Sequence, residues 1–143
     1  MSQNLEKPAG ALANWNRPVG GWGTIVGLSR VLLIMVGMVL NWFHGALAML
    51  GGVLIGLYCM SFAMPALLYL RSGRVQGPMR SAMITTASGW MLAALSCPFS
   101  IREASTVFDI RIVWTFRTLF AAGLVLAMVG GFLEKRARKG LST

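Results

Sequence analysis

Four blocks of apolar residues, separated by short polar stretches, organise this chain. From Thr24 to Leu70 the charged, amide or imidazole side chains are Arg30, Asn41 and His44 alone. As one helix that block would run about 70 Å at 1.5 Å per residue, more than twice the hydrocarbon thickness of a bilayer, so it must fold back once. The turn falls at "NWFHG", Asn41 to Gly45, where polar residues, interfacial aromatics and a glycine meet. The predicted spans are 24–41 and 46–70, and Pro65 is expected to kink the second. "RSGRVQGPMR", Arg71 to Arg80, reads as a polar linker before a third span over 81–99. A fourth span over 106–133 ends before "EKRARKGLST". The expected fold class is an all-α integral membrane protein with four transmembrane helices. Residues 1–23 make an N-terminal interfacial tail, 24–133 the four-helix transmembrane domain and 134–143 a basic C-terminal tail.

Composition supports that reading. Of 143 residues, 56% are hydrophobic and 12% charged, with a mean hydropathy of +0.67. A soluble domain carries about 25% charged and about 45–50% apolar residues. The net charge of +9 would suggest a nucleic-acid partner in a soluble protein, but no basic helix with interleaved aromatics lies outside the apolar blocks, so none is expected. The first twenty residues lack the apolar core of a secretory signal and read as uncleaved, with the first span directing insertion. No lipidation motif is present at either end of the sequence.

Charge distribution adds an orientation. Four crossings put the N-terminal tail, the 71–80 linker and the C-terminal tail on one side. That side takes Lys7, Arg17, Arg71, Arg74, Arg80, Lys135, Arg136, Arg138 and Lys139, with Arg30 near its end of span one. The opposite side takes Arg102, Arg111 and Arg117, with Glu103 and Asp109. By the positive-inside rule, both termini are expected on the cytoplasmic, matrix or stromal side.

The fourth block opens on "TVFDIRIVWTFRTLF", which places Asp109, Arg111 and Arg117 where a span should be apolar. Thr106 with Asp109, and equally Ser100 with Glu103, match the reciprocal capping pattern that starts a helix. A helix over 106–133 would run about 40 Å, so its first turns stand in the interface. Arg117 lies about 24 Å from Leu133, within snorkelling reach of the headgroups. Trp114 is three residues from both Arg111 and Arg117 and can stack on either. Arg30 is expected to anchor the other face in the same way. No acid falls in the hydrocarbon part of any span, so a buried Arg30 or Arg117 would need another subunit or a lipid phosphate as its counter-charge.

Catalytic and cofactor chemistry is sparse. The sole histidine, His44, sits at the predicted turn beside Trp42. It is a weak candidate for binding a pigment, a haem or a headgroup, and one chain cannot supply two haem ligands from it. Cys59 and Cys97 fall in spans without metal-ligand neighbours and read as small buried hydrophobes. No base is placed near a serine or cysteine nucleophile. No HExxH, P-loop or GxGxxG occurs either. We expect no enzyme activity, no metal and no cofactor.

Helix-packing signals are plentiful instead. Gly52 and Gly56 form a GxxxG pair in span two, and Gly123, Ala127 and Gly131 form a ladder of small residues in span four. Asn41, Thr85 and Thr86 could hydrogen-bond across helices or line a pore. The size, the four spans, the "NWFH" turn and the proline late in span two resemble the Flower and Golgi-vesicle four-span family over the first half of the chain. The acidic residue which that family carries before its proline is replaced here by Phe62, Ala63 and Met64. The resemblance therefore implies the fold without the residue tied to ion conduction.

These observations point to a non-catalytic accessory or structural subunit of a larger membrane complex, with lipids and other membrane subunits as partners. A respiratory or photosynthetic complex in an energy-transducing inner membrane would suit it. A free-standing vesicle or scaffolding tetraspan, or a small transporter or channel, are the alternatives.

Overall fold

The computed structural model describes residues 21–73 and 75–141. Among them the chain is all-helical: α1 (Gly21–Leu40), α2 (Ala46–Arg71), α3 (Gly77–Ser100), the single turn α4 (Ala104–Val107) and α5 (Ile110–Leu141). Four of these helices are long and apolar enough to cross a membrane. The fold is that of a multi-pass membrane protein. The expectations for the N-terminal tail, with Lys7 and Arg17, and for Arg74 lie outside the described residues.

Each break has a local cause. After Leu40 the chain tightens through N–H bonds from Trp42 to Val39 and from Phe43 to Leu40, then reverses at Gly45. Gly45 has φ +67°, a conformation that L side chains avoid, which explains a glycine at the end of "NWFHG". Pro78 enters α3 in its first turn, where a missing N–H costs nothing. Val75 and Met79 tuck in beside Ala66, Met83 and Ala87, so the linker is tied to the core and shorter than its polar sequence suggests.

The start of the last helix differs from the expected one. Phe108 is extended and its ring packs on Phe99, 5.9 Å between centroids, so α4 stops at Val107 and α5 begins at Ile110. Neither reciprocal capping pair forms. Thr106 and Ser100 turn their hydroxyls back to the carbonyls of Glu103 and Cys97. Asp109 is itself the cap: its Oδ1 accepts the backbone N–H of Arg111 at 2.8 Å. At the other end α5 continues through the basic stretch to Leu141, with Glu134 and Arg138 paired one turn apart.

The helices pack in the order α1, α2, α3, α5, with α3 between α2 and α5. Half of the α3 span is enclosed, against 6% of α1, and α3 is the least apolar of the four. That ordering fits a bilayer, where small and hydroxyl side chains pack inward and large aliphatic ones meet lipid. Ile25, Leu28, Leu32 and Met35 of α1 are all exposed. Gly37 is the α1 residue that becomes buried.

Candidate functional site

The helices approach closely only where side chains are missing. On α2, a Cβ built on Gly56 would lie 2.8 Å from the Ala94 carbonyl oxygen, and one on Gly52 would lie 3.0 Å from Pro98 Cα. Pro98 lacks the N–H that would close the helical bond to Ala94, so Gly56 brings α2 onto a carbonyl its own helix leaves bare. On α5, a Cβ on Gly123 would lie 2.6 Å from the Ala93 nitrogen and 2.8 Å from the Gly89 carbonyl oxygen. Ala127 also faces Gly89. The next rung is Gly130 against Thr86, while a Cβ on Gly131 would meet nothing within 4 Å. At about 100° per residue, seven positions return to within about 20° of the starting face and eight overshoot by about 80°. The ladder inside the bundle is thus Gly123, Ala127 and Gly130, correcting the expected Gly131.

Thr85 and Thr86 do not bond across helices. Their hydroxyls return to the carbonyls of Ser81 and Ala82 in their own helix. Asn41 borders a surface hollow at the α1–α2 turn with His44 and Glu103.

The two span arginines separate at this point. Arg117 contacts Trp114, as its spacing allows, and a neighbouring helix end. Its Nε–H donates to the carbonyl of Ser100 at 3.0 Å, and its guanidinium carbon stands 5.0 Å from the Trp114 ring centroid. Ser100 is the last residue of α3. Arg117 therefore caps a helix C-terminus, which carries unpaired carbonyls and partial negative charge. Arg111 is exposed at the start of the same helix, away from that contact.

Arg30 is set back from both ends of its helix rather than close to one of them. It lies about 14 Å from the start of α1 and about 15 Å from its end, in the middle of a helix whose length matches the hydrocarbon core. A charge at such a depth costs about 2.5–3.5 kcal/mol on insertion scales. What holds it there is Pro65. In α2 the carbonyl of Ser61 would accept from the N–H four residues on, and that residue is Pro65, which has none. Arg30 supplies the donors instead: Nη2–H to the Ser61 carbonyl at 2.7 Å and Nε–H to the Ser61 hydroxyl at 3.0 Å. That hydroxyl donates to the Tyr58 carbonyl at 2.7 Å. The guanidinium lies over Phe62, 4.3 Å to the centroid. Phe62 stacks on Trp90 at 4.9 Å and meets Tyr58 edge-on at 5.1 Å. Inside a bilayer every backbone polar group needs a protein partner, and Arg30 gives this one to its neighbour helix.

The α1–α2 turn is pinned from across the bundle. His44 Nδ1–H donates to Glu103 Oε1 at 2.6 Å. The His44 bond above all, then the Gly45 backbone N–H that faces the carboxyl and the Arg102 charge, hold the Glu103 carboxyl below its ordinary range. The His44 side chain is 83% exposed, so the weak cofactor candidate lies at the surface with one ring nitrogen engaged. No local pattern marks this pair, since its members are 59 positions apart. The Arg30–Ser61 clasp was legible in principle, because a proline inside a helix marks a bare carbonyl four residues before it.

No protein-family model matches this chain, the four-span family it resembles included, and no curated protein or solved structure matches it either.

Proposed function

We propose that this chain is a non-catalytic subunit of a larger membrane assembly, with both termini on the cytoplasmic, matrix or stromal side. The observation that carries this reading is α1. It is an edge helix that buries little against its own bundle, yet it holds a charged residue halfway through the membrane. Within a free-standing bundle the ring contact with Phe62 offsets only part of the cost of such a charge, whereas an assembly can neutralise it. The small-residue seams and the exposed apolar surface of α1 support the same reading. With Arg30 removed from the basic side, its nine remaining Lys and Arg residues still outnumber Arg102, Arg111 and Arg117 opposite, which supports the proposed orientation.

Extraction of the chain from its native membrane in mild detergent, followed by native sizing and mass spectrometry, tests this. Stoichiometric migration within a large complex is the expected result. Migration as a monomer or small homo-oligomer would overturn it.

A further inference from the structure

We propose that Arg30 is the docking point for an ionised Asp or Glu side chain carried by a transmembrane helix of a partner subunit packed along α1. This rests on the subunit reading and names the chemistry of the partner.

The Ser61 carbonyl and hydroxyl call for donors, not for a charge; a glutamine or asparagine could serve them without the cost of a cation in hydrocarbon. The guanidinium uses Nε–H and one N–H of Nη2 on Ser61. The second N–H of Nη2 and both of Nη1 have no acceptor among the described residues. Such a group, planar and already held on one edge by Ser61 and on one face by Phe62, presents the paired donors that a carboxylate takes.

This chain cannot provide that carboxylate, even from a second copy. Glu103 and Asp109 stand between α3 and α5, Glu134 stands in the basic end of α5, and Glu6 precedes the first span. A lipid phosphate is also out of reach, since a guanidinium fixed on Ser61 lies about 14 Å from either end of its helix. The surface beside it suits a helix. Gly27, three residues before Arg30, has open space where a side chain would stand, and Val31 and Met38, both exposed, lie on the same side of the helix as Gly27. A glycine there lets a second backbone come close enough to bring a short acidic side chain to Arg30.

The test compares tagged wild-type chain with Arg30→Met and Arg30→Lys, each extracted in mild detergent from native membranes pretreated with a hydrophobic carbodiimide, which modifies protonated carboxyls within the bilayer. Wild type should bring its partner subunits with their intramembrane carboxylate unmodified. Arg30→Met should lose at least tenfold of those subunits, and in the residual complex or membrane a partner's Asp or Glu should become modified. Arg30→Lys should keep part of the assembly. If Arg30→Met does not fold, Arg30→Met with Pro65→Ala restores a donor to Ser61 within α2 and should show the same loss. Wild-type amounts of every subunit in the Met variants, with unchanged carboxyl labelling, would overturn the inference and leave the subunit reading standing. Loss of a bound phospholipid with all subunits retained would overturn it in favour of a phosphate. A wild-type chain that migrates alone would remove both.

Discussion

Arg117 and Arg30 do the same chemistry at two depths. Each donates to a main-chain carbonyl that its own helix has left without a partner, and each rests on an aromatic ring. The carbonyl under Arg117 is bare because α3 ends there, beside water. The one under Arg30 is bare because Pro65 interrupts α2 in mid-membrane. Position along the chain made the two residues look alike, and what distinguishes them is the helix each leans on. Arg117 has solvent as an alternative; Arg30 has none.

Wedging the helices apart separates the two contacts most strongly. Gly89→Leu would drive a side chain into the backbone of Ala127 and Gly123, parting α3 from α5 and with it Ser100 from Arg117. We expect a loss of about 3 kcal/mol, at the upper end for overpacking, read as a lowered unfolding midpoint in detergent. Gly51→Leu is the counterpart for Arg30. A Cβ at Gly51 already comes 2.7 Å from the Gly37 carbonyl oxygen, so the variant pushes α1 off α2. Because α1 is an edge helix, the cost should be smaller, about 2 kcal/mol, and the α3–α5 seam should survive.

Direct removal of the shallower arginine comes next. Arg117→Met gives up one bond to a carbonyl that water can replace and one cation–π contact, together about 1 kcal/mol in the same unfolding measurement. The smallest effect belongs to the turn. The folded state holds Glu103 below its ordinary value of 4.5, so its contribution is present above that value and disappears as pH falls through the lower folded value. Wild-type stability should therefore fall slightly more than that of Glu103→Gln on acidification below pH 4.5, in parallel melts.

The sequence carried most of the architecture because hydropathy and chain length act locally. The four spans, the turn at Asn41 to Gly45 and the level of Arg117 all follow from counting residues. The rest depends on which helix faces which. Gly130 rather than Gly131 follows from the phase of α5 against α3, and the His44–Glu103 bond joins loops that only the finished bundle brings together. Arg30 stands deeper than expected because α1 starts at Gly21 rather than at residue 24, and what it binds is set by Pro65 on the next helix, which no count along α1 reveals.

That dependence of Arg30 on Pro65 is the centre of the account, and a double-mutant cycle measures it. Arg30→Met removes a costly charge but strands the Ser61 carbonyl. In a Pro65→Ala background, residue 65 can donate to that carbonyl, so only the relief of charge remains. Unfolding free energies in detergent for the four proteins should show Arg30→Met about 1–3 kcal/mol more harmful with Pro65 present than without it. An equal effect in both backgrounds, within about 0.5 kcal/mol, would contradict the claim that the proline is what places the arginine.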